Sequence, residues 1–147
     1  MTYAEAVDGA LCYGWIDGLK HSHDTWSWTQ KFTPRRPKSL WSKRNTEHVA
    51  RLIKARRMKS AGLKEVEAAK QDGRWTRAYD SANTMTIPKD FLAALAKNTR
   101  ALAFFRSLNK SNTYAIAWRL HTAKKPETRA KRMADILARL AREEKFH

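Results

Sequence analysis

The sequence holds a single cysteine, Cys12, so no internal disulfide can form. Its neighbours Ala10, Leu11 and Tyr13 are apolar, which favours a small core residue over a reactive thiol. No apolar run is long enough to cross a bilayer, and the first residues lack the cationic and apolar segments of a secretory signal. These absences predict a soluble cytoplasmic protein.

Sequence motifs of common catalytic sites are also absent. The five glycines form neither a phosphate-cradling loop nor the Gly-x-Ser-x-Gly of hydrolases. His21, His23 and Asp24 are residue types that bind metals, but they share one short turn and no third His or Cys follows at ligand spacing. We therefore predict no metal site and no cofactor, and Asp17 is the one weak candidate for a general base.

Acidic residues are scarce, because 14 Asp and Glu stand against 30 Lys and Arg, for a net charge of +16. The excess lies in two basic blocks: residues 31–60 carry eleven bases and one acid, and residues 97–147 carry thirteen bases and four acids. Such a field attracts nucleic acid, anionic lipid or acidic protein with an affinity that falls as salt rises. A well-solvated surface without any partner explains the same charge.

Apolar residues recur at helical spacing over most of the chain, which predicts six or seven helices. A capping box from Thr2 to Glu5 precedes a helix over 3–12. Later helices are predicted after Ser42 or Asn45, over 60–72, from Pro88 as first helical residue, after Asn98, after Ser111 or Asn112, and from near Pro126. Their predicted inward residues include Val49, Leu52, Ile53, Leu63, Val66, Ala69, Phe91, Leu92, Leu95, Ala130, Ile136 and Leu140.

Two segments near the N-terminus predict an antiparallel β-hairpin. Residues 13–19 are aromatic and β-branched between glycines, and residues 26–32 alternate apolar with polar. The predicted fold class is α+β, a mostly helical single domain over 1–147 with this one hairpin. Composition changes near residues 73–87, so a subdivision into 1–80, the hairpin with its helices, and 85–143, a helical module, stays open.

Residues 32–45 form a basic segment that holds five cations, two prolines, a tryptophan and no acid. The prolines restrict the backbone, which predicts a stiff presented loop. Guanidinium groups, hydroxyls and the N–H groups of a helix N-terminus together suit a phosphate or carboxylate, with the tryptophan as a stacking plane. The predicted anion-binding residues are Arg35, Arg36, Lys38, Ser39, Trp41, Ser42, Lys43, Arg44 and Asn45. The alternative is that Trp41 anchors the loop in the core while the arginines pair with Asp17 or Asp24.

A second basic cluster follows residue 121. It comprises Lys124, Lys125, Thr128, Arg129 and Arg132, at the expected start of the last helix. Cations at a helix N-terminus oppose the helix macrodipole, so this placement indicates either a compensating anion or a surface helix that tolerates its charges.

Several stretches of the sequence resemble the bacteriocin-protection, YdeI/OmpD-associated family. The stretches that carry the resemblance are residues 10–18, 32–45, 58–63, 72–75 with 78–79, and 122–129. The resemblance implies an OmdA-like C-terminal helical module over roughly residues 85–143 and a role in stress or bacteriocin tolerance. It implies no reaction, cofactor or catalytic residue. Family members usually carry a further portion before the segment that matches residues 3–11, so we expect that Met1 is a late start.

Three functional hypotheses remain. The first is a non-enzymatic protein that binds an anionic ligand or an acidic protein through the basic loop. The second is a nucleic-acid-binding protein that uses both basic blocks. The third is an enzyme acting on an anionic metabolite, with Asp17 as general base and Arg35 and Arg36 as substrate clamps. An exposed sheet edge would also permit a homodimer.

Overall fold

The computed structural model describes residues 1–146. The chain forms two compact units, Met1–Ala78 and Tyr79–His147. The described residues contain seven helices and one two-stranded antiparallel sheet, which confirms the predicted α+β class. The prediction of a single domain stays a prediction. No helix among residues 1–146 is long and apolar enough to span a membrane.

The N-terminal unit contains three helices and the hairpin. Its first helix begins with the predicted capping box: the Thr2 hydroxyl accepts a hydrogen bond from the Glu5 N–H, and the Glu5 carboxylate accepts one from the Thr2 N–H at 2.7 Å. In chain order the elements are α1 (Tyr3–Cys12), β1 (Trp15–Ser22), β2 (Trp28–Pro34), α2 (Lys43–Lys54) and α3 (Ser60–Gln71).

The hairpin lies about two residues later in the chain than the sequence predicts. Gly14 adopts a positive φ of 77° between α1 and β1, and this turn delays the start of the first strand. Trp15 pairs with Pro34 and Ser22 with Trp28, with an irregularity between Asp17 and Lys20. Most of both strands is exposed.

The core of the N-terminal unit forms between the helices and the basic loop. Its buried members are Val7, Leu11, Cys12, Trp41, Val49, Leu52, Val66 and Ala69. Cys12 is therefore a core residue, as predicted. The expected burial of Ile53 and Leu63 was wrong, since they are 41% and 43% exposed. α2 and α3 each bury only a narrow stripe, and these two residues lie at its edge.

The C-terminal unit contains four helices and no strand among its described residues. Its elements are α4 (Lys89–Leu95), α5 (Thr99–Ser107), α6 (Lys110–His121) and α7 (Pro126–Ala141). Its core consists of Phe91, Leu95, Ala101, Ile116, Leu120, Ile136 and Leu140.

Four details of this unit differ from the sequence predictions. Pro88 is the N-cap of α4, with an extended ψ of 137°, instead of its first helical residue. α6 starts earlier than expected, because the Asn109 side chain caps it by accepting from the Asn112 N–H at 3.0 Å. Leu92 and Ala130 are exposed, since the short α4 and the first turn of α7 each bury fewer residues than their apolar spacing predicts.

Candidate anion-binding site

Arg35 is the most buried cation of the basic loop. Its guanidinium carbon lies 3.5 Å from the centre of the Trp41 ring, and its Nη1 donates a hydrogen bond to the Leu40 carbonyl at 3.1 Å. Its backbone N–H donates to the Gly14 carbonyl at 3.0 Å. Arg35 and Trp41 are 6% and 1% exposed, so both belong to the core instead of the surface. This agrees with the alternative in which Trp41 anchors the loop.

A second buried arginine, three residues after the C-terminal end of α3, also holds the loop. Arg74 donates from Nη1 to the Ser39 carbonyl at 2.9 Å and from Nε to the Asp72 carboxylate at 2.7 Å. The Trp75 ring packs against Trp41, with centroids 5.0 Å apart. Arg74 and Trp41 are buried and Ser39 and Trp75 are half-buried, so the loop conformation is braced by side chains from outside it.

The remaining cations of the loop lie on the surface. Arg36, Lys38, Lys43 and Arg44 are exposed, and the Ser39 N–H closes a turn on the Arg36 carbonyl at 3.0 Å. Lys38 has a left-handed φ of 66° within this turn. Within residues 1–146, no carboxylate forms an ion pair with Arg36, Lys38 or Arg44. Their charges are therefore available to a partner.

The start of α2 is capped by the protein itself. The Ser42 hydroxyl accepts a hydrogen bond from the Asn45 N–H at 3.2 Å, and both residues are half-buried. The Asn45 N–H is therefore satisfied within the protein, and Arg36, Lys38 and Arg44 are the exposed cations of the predicted receptor that form no ion pair among residues 1–146.

Asp17 and Asp24 have other partners than the loop arginines. The Tyr3 hydroxyl donates to Asp17 at 2.6 Å. Burial, this hydrogen bond and the Asp17 charge raise the pKa of Tyr3 to about 12, and the nearby positive charge of Arg44 lowers it. Asp24 accepts from the Ser27 hydroxyl at 2.7 Å and from the Trp26 N–H, and these bonds lower its pKa. Among residues 1–146, neither carboxylate forms the ion pair with Arg36 that the sequence offered as an alternative.

The structure does not bring together the residues that the enzyme hypothesis requires. Arg35 and Trp41 are buried together, whereas Asp17 sits on the exposed hairpin against Tyr3. A cavity of about 420 Å³ beside the hairpin is lined by Tyr3, Trp28, Phe32 and neighbouring residues, and it contains neither Asp17 nor the loop arginines.

The second predicted cluster is divided between internal contacts and the surface. Arg129 makes a two-pronged contact with the Asp90 carboxylate at 2.6 and 2.9 Å, which holds the pKa of Asp90 below its usual value. Arg132 donates to the Arg119 carbonyl at 2.8 Å and to the Thr122 hydroxyl. The members left on the surface are Lys124, Lys125 and Thr128.

Sequence reasoning missed a charged cluster around a buried carboxylate between α1 and α2. Asp8 is 7% exposed and receives hydrogen bonds from Arg51 at 2.7 Å and from His48 at 2.9 Å. Burial opposes ionisation of Asp8, but the bonds from Arg51 and His48 outweigh it and lower its pKa. His48 and Arg51 are three residues apart on one helix, but no sequence signal identifies a partner 40 residues away.

Two family models match different parts of the chain. Residues 1–65 match a domain of unknown function, DUF8412, and residues 84–143 match the family described as bacteriocin-protection, YdeI or OmpD-associated. The second match covers α4 to α7 and confirms the predicted OmdA-like C-terminal module. No curated protein and no solved structure matches the chain.

Proposed function

We propose that this protein binds an anionic partner, without catalysis, through Arg36, Lys38 and Arg44 of the basic loop, and that this binding serves stress or bacteriocin tolerance. The tolerance role rests on the family description matched by residues 84–143. The binding role rests on the geometry of the N-terminal unit.

The observation that carries the proposal is a braced loop with unneutralised surface cations. Arg35 and Arg74 hold the loop backbone by donating hydrogen bonds to the Leu40 and Ser39 carbonyls. The loop therefore has little conformational entropy to lose when a partner binds. Arg36 and Lys38 are two residues apart, and exposed charges still interact over roughly 10 Å at 0.1 M salt. Both positive charges can therefore act on the same anion. Arg44 adds a third charge on the first turn of α2, where it opposes the helix dipole unless an anion compensates.

The test compares two triple variants that remove equal charge. The loop variant carries Arg36→Gln, Lys38→Gln and Arg44→Gln. The control replaces three exposed lysines of the same unit that lie outside the loop, Lys31, Lys54 and Lys64, each with Gln. Fluorescence anisotropy measures the affinity of each variant for a labelled polyglutamate peptide and a labelled single-stranded oligonucleotide at several salt concentrations.

We expect the loop variant to lose at least about tenfold in affinity at 0.1 M salt, since charge-assisted contacts contribute roughly this much each. The control should lose less than about threefold. An equal loss in both variants would show that the net charge of the protein, and not the loop, attracts the probe.

Nucleic acid is the second candidate partner, because aromatic rings on the hairpin are exposed beside cations. Trp26 is 94% exposed, Trp28 is 40% exposed, and the Lys20 ammonium lies 4.3 Å from the Trp28 ring centre. Bases stack on such rings. If nucleic acid is the partner, the oligonucleotide binds more tightly than polyglutamate, and Trp26→Ala weakens only the oligonucleotide.

A further inference from the structure

A cavity in the C-terminal unit brings three arginines together. It has a volume of about 270 Å³ and lies between α6, α7 and the segment that follows α7. Asp135 is the single carboxylate among its lining residues, and the apolar walls come from an indole, an aliphatic side chain and a phenyl ring. The full lining is Trp118, Arg119, Arg132, Asp135, Ile136, Arg139 and Phe146.

Two of these arginines lack a carboxylate partner within the part of the chain that the structure describes. Arg119 makes one long hydrogen bond, from Nη1 to the Ala115 carbonyl at 3.4 Å. Arg132 uses Nη1 for the Arg119 carbonyl and the Thr122 hydroxyl, which leaves Nε and Nη2 open. Both residues are half-buried, where like charges repel more strongly than they do in water. An anion in the cavity would relieve that repulsion.

The phenyl ring of Phe146 is a fixed part of the wall. Its backbone N–H donates to the side chain of the buried Asn112 at 2.7 Å. The guanidinium carbons of Arg119 and Arg139 lie 5.0 and 4.5 Å from the centre of its ring. Arg139 also pairs with Glu144 at 3.5 Å, which orients its guanidinium group beside the ring. The cavity therefore combines forked cationic donors with an aromatic surface.

We propose that this cavity binds a small organic oxyanion, a phosphate or carboxylate attached to an apolar group about the size of one aromatic ring. A dry cavity of about 150 Å³ is enough to hold benzene, so 270 Å³ admits a ring together with its anionic group. Guanidinium forks suit the two oxygens of such a group. This site lies within the C-terminal unit and does not depend on the proposed role of the basic loop.

The experiment uses four probes on the whole protein: phenyl phosphate, benzoate, inorganic phosphate and benzyl alcohol. Nitrogen-edited NMR follows the indole N–H of Trp118, assigned with Trp118→Phe, and isothermal titration calorimetry gives the affinities. We expect saturable binding of phenyl phosphate or benzoate with a shift at Trp118, weaker binding of inorganic phosphate and none of benzyl alcohol. If phenyl phosphate binds more tightly than benzoate, the cavity prefers a phosphate. If benzoate binds more tightly, it prefers a carboxylate.

Variants then test the cations. Arg119→Gln and Arg139→Gln should each weaken binding by at least about tenfold, because each removes a charged donor. Arg106→Gln is the matched control, since Arg106 is an exposed arginine of the same unit outside the cavity, and it should change affinity less than twofold.

The NMR map on the unmodified protein keeps the proposal testable if a variant does not fold. The proposal is wrong if the shifts avoid Trp118 or never saturate. It is also wrong if benzyl alcohol binds as tightly as the anions, or if all three Arg→Gln variants have equal affinities.

Discussion

The guanidinium group of Arg35 stacks on the buried ring of Trp41 at 3.5 Å, so a cation from the basic loop stabilises the core. Arg35→Ala removes this contact and the hydrogen bond to the Leu40 carbonyl. A desolvated cation–π contact contributes about 2 kcal/mol, and a charged hydrogen bond about 1.5–3 kcal/mol. Because the two share one side chain, we expect the free energy of unfolding to fall by about 2–4 kcal/mol.

Urea unfolding followed by tryptophan fluorescence measures this loss. The matched control is Arg36→Ala, which removes an exposed neighbouring arginine and should change stability by less than about 0.5 kcal/mol. If both substitutions destabilise equally, or if neither does, Arg35 is not the anchor of the loop.

Gly62 of α3 lies against the backbone at the end of α1. A Cβ at this position would meet the carbonyl oxygen of Cys12 and lie 2.8 Å from that of Leu11, and both are backbone atoms that cannot turn aside. We expect Gly62→Ala to lower the free energy of unfolding by about 1–3 kcal/mol through overpacking. Thermal and urea unfolding measure the effect.

Gly9 provides the opposite case on α1. A Cβ there meets no atom within 4 Å, so Gly9→Ala should raise stability by about 0.5–1 kcal/mol through its better helix propensity. Equal effects of the two substitutions would contradict the close packing of α1 and α3.

The Asp8 carboxylate makes stability depend on pH. Its pKa is lower in the folded protein than in the unfolded chain, so its contribution is present above the unfolded pKa and disappears as the pH falls through the folded pKa. We expect Asp8→Asn to cost about 1.5–3 kcal/mol at pH 7, because charged hydrogen bonds from Arg51 and His48 are lost. The difference between the two proteins should shrink as the pH falls below about 4.

Urea unfolding at a series of pH values checks this dependence. Glu47→Gln is the control, since Glu47 is an exposed carboxylate on α2 without an ion pair among residues 1–146. A destabilisation by Asp8→Asn that stays constant down to pH 2 would show that packing, and not charge, is what the substitution removes.

Local signals in the sequence were enough to locate the helices. The capping box at Thr2, the cap at Asn98 and the proline at the start of α7 act within a few residues, so they can be recognised without the fold. For α2 the sequence left Ser42 and Asn45 as alternatives, and the cap is Ser42. Helix faces were harder to assign. Ile53 and Leu63 have the correct spacing but lie at the edge of a stripe whose width depends on the neighbouring elements.

The candidate sites depend on contacts between distant residues, which a single sequence does not reveal. Arg74 reaches the Ser39 carbonyl 35 residues away, and Arg51 reaches Asp8 across 43 residues. For the same reason, composition alone could identify the basic loop but could not separate Arg35, which is buried, from Arg36, which is exposed.

The central claim, that the exposed cations of the basic loop bind an anionic partner, is tested most directly by an NMR footprint on the unmodified protein. A heparin oligosaccharide is titrated into isotopically labelled protein at 0.15 M salt, and the backbone amide shifts are mapped along the chain. The account predicts saturable amide shifts that are largest at residues 36–45. Shifts spread evenly over both basic blocks, or concentrated at residues 124–132 with the loop unchanged, would contradict it.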